Sequence, residues 1–214
     1  LKFVFLLLFE IFKIKFSNII LLWLILIVFN APVSAQFQLN GDASIINCKC
    51  YQLNPDMGNK AGSVWNINQI DLNQPFDYSF TVNLGCNNSS QWAGADGMVF
   101  ALQPLNTSIG SSGGQMGLGG VSPSLGVYLD TYQNTAHGDI FDDHISINLD
   151  GDVIHTSSNN IAGPYDLGEI ENCVAEPLRI TWDPATTLLN IYYHNFLALN
   201  YIGDILNNVF NGHP

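Results

Sequence analysis

Residues Asp130-Thr131-Tyr132-Gln133-Asn134, followed by Asp139 and His144, carry the densest set of oxygen donors in the sequence. In an extended segment Asp130, Tyr132 and Asn134 fall on one side of the chain, because side chains alternate across a strand. A carboxylate, a main-chain carbonyl and an amide oxygen are hard donors, and the four residues after Asn134 can return Asp139 to complete the set. Calcium takes 6–8 oxygens, so four protein ligands and waters make a site. His144 offers a softer nitrogen, better matched to manganese or another transition metal beside the calcium.

These residues need strands to hold them, and the sequence supplies strand signals throughout. Phe76, Tyr78, Phe80, Val82 and Leu84 alternate with Asp77, Ser79, Thr81 and Asn83, a period of two. Residues 97–102 form a nearly continuous apolar run, as expected of a strand buried on both faces. Residues 126–129, 145–149, 178–182 and 188–193 read as further strands, with turns at Asp150-Gly151-Asp152 and Asp183-Pro184-Ala185-Thr186. Helical periodicity is confined to 202–210. Strands at this spacing predict an all-β protein, an antiparallel β-sandwich.

Composition narrows the class of partner. Lys13 and Lys15 precede an apolar run at 19–29 that ends in Ala31-Pro32-Val33-Ser34-Ala35, the pattern of a secretory signal peptide cut after Ala35. An uncleaved N-terminal anchor is the alternative, although the run is short for a membrane span of about 20 residues. Residues 1–35 are thus expected to be a signal peptide and 36–214 the domain, in a secreted or cell-surface protein that leaves the membrane after cleavage. Without residues 1–35 the strong bases are Lys49, Lys60 and Arg179 against 17 acids, a net charge of −14. Such a surface has no electrostatic footprint for nucleic acid or for an anionic membrane. Cys48, Cys50, Cys86 and Cys173 make an even count. In an exported chain that predicts two disulfides, with zinc the runner-up. Cys48 and Cys50 would point to one face of a strand, so each is expected to bridge to Cys86 or Cys173.

Three motifs in fixed order carry a resemblance to a known family. They are Gly94-Ala95-Asp96-Gly97-Met98-Val99-Phe100, Gly113-Gly114-Gln115-Met116-Gly117-Leu118, and Val127-Tyr128-Leu129-Asp130-Thr131-Tyr132-Gln133-Asn134 continuing to Asp139 and Asp143-His144-Ile145. Leu178-Arg179-Ile180-Thr181-Trp182-Asp183 is a weaker fourth. Together they resemble the legume-type (L-type) lectins of the concanavalin A-like jelly-roll fold, and most closely bacterial secreted members. The resemblance implies that Asp130, the Tyr132 carbonyl, Asn134 and Asp139 bind Ca2+. It also implies that Asp96, the Gly114 N–H and Asn134 hold sugar hydroxyls, with the Tyr132 ring against the sugar face and a cis peptide at Ala95-Asp96. The implied partners are glycans or polysaccharide, and the family's sheets pair into homo-oligomers in several ways.

Two departures from the family pattern stand out. Tyr128 occupies the place of a Glu in two-metal members, so a second, Mn2+-type site keeps only Asp130, Asp139 and His144, with Asp142 or Asp143 as substitutes. The family also continues beyond a segment like 204–212 into a closing aromatic strand, so the domain is expected to lack that strand and the sequence to be a piece of a longer one. Two other functions remain open. A glycoside hydrolase of the same fold would need paired carboxylates about 5–5.5 Å apart, for which Glu169-Ile170-Glu171 and Glu176 are the nearest match. A calcium-stabilised adhesion domain would bind no sugar; Asp96 and Gly114 discriminate, being unnecessary for the metal alone. His137, His155, His194 and His213 are scattered and read as structural. Asn87, Asn88 and Asn106 lie in N-x-[ST] sequons.

Overall fold

The structure, a computed structural model, describes residues 36–86, 94–108 and 113–212, all within the compact unit Gln36–Pro214. The expected signal peptide and the sequons at Asn87 and Asn88 lie outside the described residues. Among the described residues no helix is long and apolar enough to cross a membrane.

Among the described residues there are twelve strands. In order they are β1 (Phe37–Gly41), β2 (Ser44–Asn47), β3 (Cys50–Gln52), β4 (Gly62–Asn66), β5 (Phe76–Val82), β6 (Gly97–Leu102), β7 (Leu125–Asp130), β8 (His144–Leu149), β9 (Asn160–Asp166), β10 (Glu176–Asp183), β11 (Leu188–Tyr193) and β12 (Phe196–Ile202). A short helix α1 (Ile205–Asn208) follows, its first turn capped by the Asp204 side chain accepting from Asn207 N–H. The strands form two four-stranded antiparallel sheets, ordered β6-β7-β8-β9 and β12-β11-β10-β5, and two small ladders, β1-β4 and β2-β3. This is an all-β jelly-roll sandwich.

The period of two explains how the sheets pack. On β7 and β8, Leu125, Val127, Leu129, Ile145 and Ile147 are buried between the sheets against Leu178, Ile180 and Trp182 of β10 and Leu189 and Ile191 of β11. Burying each such side chain stabilises the fold by about 1.5–3 kcal/mol. The alternate residues of β7 and β8 face the other way. There Tyr128 joins Leu118, Val121 and Val153 in a second cluster, with Trp65 of β4 packed against it. That cover on both faces is why every residue of β7 is buried. Residues 97–102 do form a strand, but its residues are only partly buried and Gly97 is exposed, because β6 is an edge of its four-stranded sheet.

One sequence expectation is overturned. Cys86 pairs with Cys173, their Cα atoms 4.5 Å apart, while Cys48 and Cys50 are exposed free thiols. The cause is placement: β2 and β3 form a separate hairpin whose tip carries Cys48, whereas Cys173 N–H donates to Gly85 O and so brings the 86 and 173 backbones together.

Candidate functional site

Three strand ends meet at one edge of the β6-β7-β8-β9 sheet. Asp130 closes β7, His144 opens β8 directly across the ladder, and Gly97 opens β6 opposite Asp130 on its other side. The register thereby sets Asp96 beside the loop 131–143, and Thr131 N–H donates to Asp96 O at 3.2 Å. Gly97 permits this approach. Its φ of +135° suits glycine, and a β-carbon there would collide with the Leu129 carbonyl. The Ala95-Asp96 peptide is cis, as the family resemblance implies.

Inside the loop, hydrogen bonds link these residues to one another. Tyr132 N–H donates to Asp130 Oδ1 (3.0 Å), Asn134 N–H donates to Asp139 Oδ2 (2.6 Å), and Asn134 Nδ2 donates to Tyr132 O (3.3 Å). A single 3-10 turn, Thr135–His137, ends at Gly138 in the left-handed region (φ 82°), and that reversal returns Asp139 to Asn134. The Tyr132 ring remains 45% exposed, available as a flat apolar face.

The second motif completes the site. Leu118, 1% exposed, anchors its loop against Tyr128, and turn hydrogen bonds from Met116 N to Gly113 O and Leu118 N to Gln115 O shape it. Gly114 is thereby set against the other two motifs. A β-carbon on it would stand 3.7 Å from Asp96 Oδ1, 4.0 Å from Asn134 Oδ1 and 3.7 Å from His137 Cε1. Asp96, Gly114 and Asn134, distant in sequence, thus share one small space beside Tyr132 and the Asp130–Asp139 donors.

The electrostatics of this edge suit a bound cation. Burial pushes the Asp130 carboxyl up to about 7; the Tyr132 N–H opposes the shift, and Asp139, Asp96 and Asp143 add to it. Asp96 and Asp143 are also raised, both chiefly by burial, with His137 opposing the shift at Asp96. Asp139 has a fully buried side chain, and its Oδ1 has no hydrogen-bond partner. A buried carboxylate oxygen without a donor is costly, and a divalent cation would relieve both that cost and the mutual repulsion. The donor chemistry of Asp130, the Tyr132 carbonyl, Asn134 and Asp139 therefore fits calcium.

His144 Nδ1 lies 3.1 Å from Asp142 O, and its Nε2 faces Asp130 Oδ2 (3.9 Å) and Asp139 Oδ1 (4.0 Å). Sequence reading missed two neighbours. His155 Nε2 is 2.9 Å from His144 Nε2 and 3.3 Å from Asp139 Oδ1, and His155 N–H donates to His137 O. His137 borders Asp96 and Gly114. Only the Asp150-Gly151-Asp152 turn hinted that the chain doubles back after β8, and nothing in the spacing marked where it would bring His155.

The carboxylates considered for hydrolysis are arranged otherwise. Ile170 is buried in the inter-sheet core and Glu171 is 4% exposed, in a segment between β9 and β10 that is not a strand. Burial pushes Glu171 up to about 7, with Asp143 and Glu169 adding to the shift and Gly94 N–H opposing it. Glu171 Oε1 is packed against Gly94, at the entry to the Asp96 motif.

Known proteins agree with this architecture. The sequence matches the family described as "Legume lectin beta-barrel domain" over residues 28–213. Winged bean acidic lectin, solved with methyl-α-D-galactose, superposes with a TM-score of 0.65 at 23% identity, covering 85% of this chain and 81% of that one. Peanut lectin, solved with a nonamer peptide, gives 0.62 at 20% identity, covering 82% and 79%. Lectin I of Ulex europaeus, solved with the methyl glycoside of α-L-fucose, gives 0.59 at 20% identity, covering 84% and 81%. These likenesses show the fold. Among curated sequences, the serine-rich adhesin for platelets of Staphylococcus aureus (strain MRSA252) is 36% identical over 85 residues, or 39% of this chain and 6% of the adhesin's length. The match over most of the sequence, with the fold, makes the chain a member of the L-type lectin family, whose proteins bind carbohydrate and are not enzymes.

Proposed function

We propose that the domain binds glycans in a calcium-dependent manner, as part of a secreted or cell-surface protein. The observation that carries this reading is the convergence of Asp96, Gly114 and Asn134 beside a buried carboxylate loop. Calcium is held by Asp130, the Tyr132 carbonyl, Asn134 and Asp139, and its role is to order the loop that presents Asn134 and Tyr132. The Asp96 carboxylate and the Asn134 amide then hold adjacent hydroxyls of one sugar, and the Gly114 N–H donates to one of them. The Tyr132 ring covers the apolar C–H side of the pyranose. The acidic surface suits a neutral, hydroxyl-rich ligand.

The galactoside and fucoside in the winged bean and Ulex lectins make pyranosides the first probes. The relation to a staphylococcal adhesin supports a place at a cell surface. A glycan array probed with and without EGTA tests the proposal. Binding that vanishes with EGTA and returns with calcium is the expected result; calcium-independent binding, or an array without hits, contradicts it.

A further inference from the structure

We infer that His155 supplies the ligand that Tyr128 does not, making a second metal site of Asp130, Asp139, His144 and His155 that selects a borderline transition-metal dication such as zinc or cobalt. This inference deepens the calcium-lectin reading and rests on it, since Asp130 and Asp139 serve both ions.

Tyr128 is not a donor. Its ring is 1% exposed within the cluster of Leu118, Val121 and Val153, on the same face of β7 as Asp130. The donor atoms that do converge are Asp139 Oδ1, His144 Nε2 and His155 Nε2, all within 4.8 Å of one another. Their separations are 2.9 Å between the two imidazoles, 3.3 Å from His155 to Asp139 and 4.0 Å from His144 to Asp139; Asp130 Oδ2 lies 3.9 Å from His144. Ligands bound at about 2.0–2.2 Å sit roughly 3–3.5 Å apart around a tetrahedral or octahedral ion, so small movements close Asp139, His144 and His155 onto one metal, and Asp130 Oδ2 approaches it from beside His144.

The unpartnered Oδ1 of Asp139, on a fully buried side chain, points at the two histidines. Neighbouring polar groups orient the rings. Asp142 O, an acceptor only, takes the Nδ1–H of His144 and leaves its Nε2 lone pair facing the site. At His155 the Asn160 amide lies 3.1 Å from Nδ1, with its Nδ2 also donating to Asn148 Oδ1. Loading asks that amide to turn its oxygen to His155, so that Nδ1 carries the hydrogen and Nε2 the lone pair. A second imidazole in place of a carboxylate moves the preference from manganese towards zinc, cobalt, nickel or copper.

The test is cobalt uptake by the metal-stripped chain in saturating calcium, read from the visible d–d absorption, with zinc competition by calorimetry. One cobalt per chain is expected, displaced by zinc. His155→Ala should weaken it by at least about tenfold, and His194→Ala, an exposed histidine, should not change it. His155→Asp restores a carboxylate and should bind manganese more tightly than the parent does. Circular dichroism of each variant checks folding, and glycan binding in calcium alone reports separately on the lectin reading. Absence of cobalt uptake by the folded parent, unchanged uptake in folded His155→Ala, or manganese affinity in folded His155→Asp no greater than the parent's, overturns the inference.

Discussion

Asp130 on β7 lies directly opposite His144 on β8, and that single register position joins the Asp130–Asp139 loop to the His144–His155 pair. Both side chains are buried, so water screens a charge placed on this edge poorly.

Metal-free stability should therefore fall as pH rises. Asp130 and Glu171 are both raised to about 7, above their unfolded values near 4, so the folded protein holds protons that the unfolded chain has lost. Their contribution is full below about pH 4 and is lost as pH rises through 7. In EGTA the melting temperature should drop between pH 5 and pH 8. Calcium should reverse the trend, since it binds the ionised Asp130. A metal-free melting temperature that climbs across this range would contradict the assignment.

Glu171→Gln removes one of those titrations while keeping the contact with Gly94. At pH 8 it should stabilise the metal-free domain by on the order of 1–2 kcal/mol, with little effect at pH 4.5. Denaturant unfolding at the two pH values gives the comparison.

Gly114→Ala separates fold from binding. The added methyl would meet Asp96, Asn134 and His137 only at ordinary van der Waals distances, and Gly114 needs no left-handed backbone. The melting temperature should change by less than about 2 °C, a shift that corresponds to under roughly 0.5 kcal/mol. Glycan affinity should fall by at least about tenfold, or 1.4 kcal/mol, because the methyl stands where the sugar would sit.

Thiol chemistry distinguishes the cysteines. In the native protein Cys48 and Cys50 should react with a thiol reagent, and Cys86 and Cys173 should not. Replacing Cys86 by Ser should destabilise the domain by about 2–5 kcal/mol. Labelling of all four cysteines in the folded, unreduced protein would refute the pairing.

These outcomes follow the boundary of what the sequence made legible. Local patterns sufficed for β5, β6, β7, β8, β10 and β11, where alternation or apolar runs meet clear turns, and for α1. β9 and β12 went unread because Asn, Gly and Pro dilute the first and the second follows β11 after only two residues, His194 and Asn195. β1 to β4 are short and weakly patterned. The oxygen donors at 130–139 were legible because they are neighbours in sequence. The disulfide and the His144–His155 pair were not, because each depends on where distant strands bring the chain.

The most direct test of the central claim is Asp96→Ala, measured by calorimetric titration of a glycan identified on the array, in saturating calcium. The carboxylate makes no hydrogen bond to the calcium donors but adds its charge to theirs, so the variant should still bind calcium, with a weakened affinity, and keep its melting temperature in saturating calcium within a few degrees. It should lose detectable glycan binding. Sugar affinity within about twofold of the parent's in a folded, calcium-bound variant would show that the saccharide is held elsewhere.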